Sequence, residues 1–164
     1  MLDENHAALQ KMVNKKIKRL EKKQMFFYLG NPYDIIEMNI IEDVEIDGTK
    51  IYVRNKEKLK KWYQAEVSRI FEERFIHNFN LFEEADLIPS LKIRKMKSRW
   101  GVYNKAKHSI TLNSNLIEHR IEVLDYVIIH ELSHIIHFDH SASFWNLVAN
   151  YYPNYKKIRK ELKE

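Results

Sequence analysis

Four histidines fall within eleven positions of one stretch, VIIHELSHIIHFDHSASFW: His130, His134, His137 and His140. The chain has no cysteine, so disulfides and thiolate ligands are excluded together, and a metal site must be built from His, Asp or Glu. In a helix, His130 and His134 lie one turn apart and project the same way, which lets both imidazoles reach a single ion at about 2.0–2.1 Å. Glu131 sits beside them. Burying these three groups in an otherwise apolar helix is costly without partners, and a divalent cation satisfies all three, directly or through bound water.

Helix geometry separates two candidates for a third ligand. His137 follows His130 by seven residues, so in a straight helix it lies about 10 Å further along the axis, beyond the reach of one ion. His140 is better placed, provided the helix ends near His137 and the chain turns at Phe138 and Asp139. Histidine tolerates left-handed backbone, so His137 is expected at that turn, capping the helix C-terminus. Three protein ligands leave a coordination position open, which distinguishes a catalytic zinc from a structural one. Water activated there becomes acidic near neutral pH, and Glu131 can accept its proton and pass it to a leaving amine. HExxH alone is a weak signal; the buried character of its helix and the third histidine strengthen it.

Other residues fall near this chemistry. Tyr126 precedes His130 by one turn on the same face and can pack in the core or turn its hydroxyl to a carbonyl or a ligand. Phe144 and Trp145 are expected to pin the last helices onto the central one and so fix His140. In IRKMKSRWG, Arg99 and Trp100 stand among Lys92, Arg94, Lys95 and Lys97, a composition suited to phosphates, bases or an extended peptide. Arg99 can also hold a structural carboxylate. His6, His77, His108 and His119 are isolated and read as surface or packing residues.

The elements that must position these groups follow from periodicity. Apolar residues from Leu9 to Leu20 recur at helical spacing, giving a first helix over about 5–23. YLGNPY breaks that pattern, and the β-branched residues around Asp47-Gly48 predict a hairpin. Leu59, Trp62, Tyr63, Val67, Ile70, Phe71 and Phe75 mark a second helix, widened by Ile76 and Phe79, with Lys60, Glu66 and Arg74 left for water. LKIRKM and HSITLN alternate as two half-buried strands joined through KSRWGVYNKAK; either IRKMKSRWG or SITLN can receive a peptide strand. From Ile121 to Ile136 nearly every helical face is apolar, as in a central buried helix. Two shorter helices close the chain, the second with Pro153 in its first turn.

Length, 164 residues with 45% apolar content, suits one α+β domain over 1–164, with a helix and hairpin in 1–55 and the metal-bearing core in 56–164. The N-terminus has no signal-peptide pattern and no apolar run is long enough to span a bilayer, so a cytoplasmic location without membrane contact is expected. A net charge of +5, with basic residues gathered at 15–23, 92–99 and 156–160, favours anionic partners such as nucleotides or nucleic acid.

The blocks KIRKMKSRWG, SITLNSNLI, LDYVIIHELSH and HSASFW together resemble the YgjP-like metallopeptidase domain, a relative of the SprT-like zinc proteases. The likeness covers residues 90–163 and extends more weakly through 57–80 to YLG. It implies a zincin-like fold, a central HExxH helix packed on a small, mostly antiparallel sheet. It also implies zinc on His130, His134 and His140, Glu131 as acid/base, and a peptide or protein substrate. Two departures stand out: Val102 and Tyr103 replace the family's Ser-Cys, and its N-terminal strands are not visible here, so a smaller sheet is expected. The spacing from His134 to His140 also fits metzincins, but these carry glycine at the place of His137 and a downstream methionine turn, and no methionine follows Met96. A distal glutamate ligand fits poorly, since only Glu161 and Glu164 follow His140. Hydrolysis of nucleotide phosphoanhydrides, or a nucleic-acid-associated protease or binding module, are the competing readings.

Overall fold

Leu29 and Gly30 both take left-handed backbone, φ 49° and 84°, the requirement of a tight two-residue hairpin turn. They join β1 (Phe26–Tyr28) to β2 (Asn31–Glu37), with Tyr28 opposite Asn31. The computed structural model describes residues 25–163 together with Lys11, Asn14 and Lys15. The helix expected over 5–23 therefore lies, apart from those three positions, outside the described residues. The hairpin at Asp47-Gly48 forms between β3 (Glu45–Asp47) and β4 (Lys50–Val53), with Gly48 at φ 55°. Its first arm is only three residues long, because 34–37 belong to β2, which runs parallel to β4. The resulting sheet, ordered β1-β2-β4-β3, supplies four N-terminal strands and corrects the expectation that such strands are missing.

Helix α1 (Lys56–Leu81) starts where the Asn55 side chain accepts a hydrogen bond from the Lys58 N–H at 2.9 Å. It buries Val67, Ile70, Phe71 and Phe75 against the core, while Ile76 stays half exposed at 51%, so the apolar face is narrower than its spacing suggests. Arg74 is not left to water. It forms a bidentate pair, 2.8 and 2.6 Å, with the buried carboxylate of Asp125, which also accepts from Asn78. Glu66 likewise serves the fold, accepting from Tyr28 and Arg69.

The second sheet consists of β5 (Ser90–Arg94), β6 (Gly101–Asn104) and β7 (Ser109–Asn113) in the order β5-β7-β6. β5 and β7 are the two expected strands and run parallel; β6 arises inside the segment read as their connector and pairs antiparallel with β7. Among the described residues three of five strand pairings are antiparallel, which keeps the mostly antiparallel character. SITLN is thus the centre of its sheet, with both edges occupied, and cannot receive another strand. Lys92 and Arg94 are exposed, whereas Leu91 and Ile93 pack inward.

A 3-10 turn over Ser114–Glu118 leads to α2 (Ile121–Ser133), the central helix, of which every residue from Val123 to Ser133 except His130 is buried. α2 contacts β6 and β7, α1, and the last two helices, α3 (Ala142–Tyr151) and α4 (Tyr155–Glu161). Pro153 precedes the N-cap Asn154 rather than occupying the first turn. One core cluster runs from Tyr28 through α1, β7 and α2 to Ile158. Among the described residues no helix is long and apolar enough to cross a membrane.

Candidate metal centre

α2 ends at Ser133, sooner than its apolar run suggests, with His134 as C-cap in right-handed backbone, φ −68° and ψ −14°. The chain turns through 134–136, closed by Ile135 and Ile136 N–H groups reaching Leu132 and Ser133 and by the His137 N–H donating to Ser133 at 2.9 Å. His137 caps through its backbone, and its φ is not left-handed, which corrects that expectation. Ser141 then caps α3 by accepting from the Phe144 N–H, and His140 arrives back over α2.

The three histidines His130, His134 and His140 offer ring nitrogens that all lie within 4.8 Å of one another. Their ring centroids form a nearly equilateral triangle, 5.1, 5.1 and 4.9 Å on its sides. His130 Nε2 and His140 Nε2 stand 3.2 Å apart; two imidazole nitrogens on one tetrahedral zinc, with bonds of about 2.0–2.1 Å, are separated by about 3.3 Å. His134 Nδ1 donates to the His137 carbonyl at 3.0 Å, which directs its Nε2 inward. His130 Nδ1 is buried without a hydrogen-bond partner among the described residues. An all-imidazole donor set with no carboxylate in it suits zinc among divalent ions.

Burial, helped by the charges of His134 and His140, pushes His130 down to about 3, so its ring is neutral and ready to ligate at physiological pH. Burial holds His134 below its ordinary value as well. Phe144, fully buried, touches all three rings at centroid distances of 4.9, 4.6 and 4.9 Å. Trp145 stacks on His140 and on Tyr155. Packing between the last helices and the ligands is therefore direct.

Glu131 leaves α2 on the neighbouring face and is 5% exposed. Burial pushes its carboxyl up to about 8, opposed by the Tyr103 backbone N–H that it accepts and by the charge of Arg99. A dication at the imidazoles opposes that rise further. The carboxylate lies against Gly101 so closely that a Cβ there would stand 2.6 Å from Glu131 Oε1. Sequence reasoning missed both contributions of β6. The available signal was a glycine opening a strand, the usual mark of close approach by another group.

A cleft of about 360 Å³ opens beside His130 and Glu131. Arg99, Trp100 and Tyr126, the three residues singled out for substrate contact, all line it, and Arg159 and Leu162 of the C-terminal segment complete it. Tyr126, buried with its ring 5.9 Å from His130, is pushed up to about 12, chiefly by burial, and stays protonated. A larger cavity of about 530 Å³, reached by Gly30, Arg120 and Glu161, contains none of the three clustered histidines. Lys92, Arg94, Lys95 and Lys97 border shallow depressions on the second sheet, away from the histidines. His108 occupies a turn at φ 42°, bonded to Tyr103 and Leu87, and His119 packs on Trp100.

An α+β scaffold that gathers three imidazoles at the end of a buried helix, with a carboxylate alongside, defines a metal-dependent hydrolase of zincin type. The chain matches the YgjP-like, metallopeptidase domain family over residues 2–164 and belongs to it. Membership makes it a metallopeptidase whose ion is zinc and whose substrates are peptides or proteins. Among solved structures it is similar to the metallopeptidase zymogen abylysin of Pyrococcus abyssi, at 25% identity and a TM-score of 0.51, over 56% of this chain and 90% of that one. It is also similar to the metallopeptidase zymogen jannalysin of Methanocaldococcus jannaschii, at 25% identity and a TM-score of 0.44, over 58% and 92%. No curated protein matches the chain.

Proposed function

We propose that His130, His134 and His140 together hold zinc, and that Glu131 acts as general base and then general acid in the hydrolysis of peptide bonds. The convergence of three donor nitrogens within 4.8 Å, beside a carboxylate fixed on β6, carries this reading. Zinc, when bound, supplies Lewis acidity and water activated near neutral pH. Glu131, held by the Tyr103 N–H, takes the proton of the attacking water and delivers it to the departing amine. Tyr126 keeps its O–H at cleft level and can donate to the oxygen that gains charge in the transition state. β6 is an edge strand beside α2, and an extended peptide laid along that edge presents its bonds to the cleft.

Glu131→Gln tests this assignment because it keeps size and polarity while removing the base. Zinc content should stay at one ion per chain, and turnover of a denatured-protein substrate should fall by about 10²–10⁴-fold. Undiminished turnover in E131Q, or full zinc retention in H140A, overturns the site. Phosphate release from nucleoside triphosphates without new peptide termini overturns the peptide-bond assignment.

A further inference from the structure

We propose that Arg99 and Arg159 form an anion-recognition subsite beside the metal centre, selecting peptides that carry a carboxylate close to the bond to be cut. This rests on the peptidase reading and adds a specificity to it. The two guanidinium groups come from different elements, Arg99 from the loop before β6 and Arg159 from α4, and both line the cleft that holds His130 and Glu131. Lys163 adds a third cation to the lining, and among the described residues Glu131 is its only carboxylate.

Neither arginine is ion-paired among the described residues. Arg74 and Arg120, also at junctions between elements, each grip a carboxylate in two-pronged fashion. Arg159 is nonetheless held in place: its guanidinium sits 4.8 Å over the Trp145 ring, which itself packs on His140 and Tyr155. A planar cation immobilised on an aromatic face gives up little freedom when it binds a carboxylate. Both arginines share that lining with His130, Glu131 and Tyr126. Cations this close to a dication site weaken ion binding by repulsion. An anionic substrate group offsets that repulsion once bound, and the cleft's buried floor of Tyr126, Val127 and Glu131 strengthens the attraction.

The experiment uses the full zinc-loaded chain and peptides differing only by Glu, Gln or Lys on either side of the scissile bond, each as free acid and as C-terminal amide. Glu should exceed Gln by about tenfold in kcat/KM, mainly through KM, and the advantage should shrink with salt. An advantage seen with the free acid alone assigns the carboxylate to the peptide terminus, and one that survives amidation assigns it to a side chain. R159K should keep the preference, R159Q should reduce it to about twofold, and R159E should turn it toward Lys. A Glu-to-Gln ratio near one, or a ratio unmoved in R159Q and R159E, overturns the proposal. If no peptide is cleaved, the peptidase reading fails separately, and the subsite is read by binding. Tryptophan fluorescence of zinc-loaded E131Q, with Trp100 in the cleft and Trp145 under Arg159, follows titration with the Glu and Gln peptides. Equal affinities in that titration overturn it as well.

Discussion

Gly101→Ala adds one methyl group at the point where β6 supports Glu131, the proposed base. The backbone there is not left-handed, so no conformational strain enters, and the whole effect is steric. The new Cβ would stand 2.6 Å from Oε1, 2.7 Å from Cγ and 2.9 Å from Cδ of Glu131. Reaching an ordinary contact of 3.4 Å requires the carboxylate to withdraw by about 0.8 Å, which disturbs its hydrogen bond from the Tyr103 N–H. A displacement of about 1 Å at a catalytic group costs about 10²-fold in rate, and overpacking costs about 1–3 kcal/mol of stability. The three atoms nearest the new methyl all belong to Glu131 and none to the imidazoles, so zinc stoichiometry should be unchanged. The measurements are kcat/KM on a fluorogenic peptide, zinc content of the purified variant, and denaturant unfolding. In the double variant G101A/E131Q the loss should not exceed that of E131Q alone, because both changes disable one group. G101A within about threefold of the parent, or a double variant much worse than E131Q, would refute the idea that Gly101 acts through Glu131.

Phe144→Ala should cost about 3–5 kcal/mol in unfolding free energy and, because the ring touches all three histidines, should also weaken zinc retention against a chelator competitor. Retention equal to the parent's would show the wall to be idle. Arg74→Met should destabilise by about 3–5 kcal/mol, since it leaves Asp125 buried and ionic without its cation; a loss under 1 kcal/mol in denaturant titration counts against this. In zinc-free protein, the unfolded chain takes up a proton at His130 between pH 6.5 and about 3 that the folded chain refuses, so stability falls on acidification through that window. Between pH 4.5 and about 8 the folded chain keeps a proton on Glu131 that the unfolded chain releases, so stability also falls as pH rises. Above about pH 7 the Glu131 contribution outweighs that of His130, so the net slope should be negative there. E131Q should abolish this slope, and a flat profile in the parent would contradict it.

The three-histidine cluster was legible because its two signals are local. A four-residue spacing fixes His130 and His134 on one face, and the rise per residue makes His137 unreachable, leaving His140. The end of the helix was read about three residues late, since Ile135 and Ile136 continue the apolar run while their backbone already tightens into turns. β6 was invisible for a related reason: GVYN is four residues long, begins with glycine and sits between more strongly patterned strands. The β1–β2 turn was hidden because Leu29 occupies a left-handed position usually taken by asparagine or glycine. The contributions of Gly101, Tyr103 and Arg159 depend on pairings between distant segments, which periodicity does not report.

Phe144 and His140 place the wall of the histidine cluster and the third of its proposed zinc ligands on the same final stretch that α3 and α4 fold into. Loading the ion and docking the C-terminal quarter are consequently reciprocal, each raising the equilibrium constant of the other by the same factor. Loss of the metal would then be registered as looser attachment of α3 and α4, so that occupancy of the site and the lifetime of the fold rise and fall together.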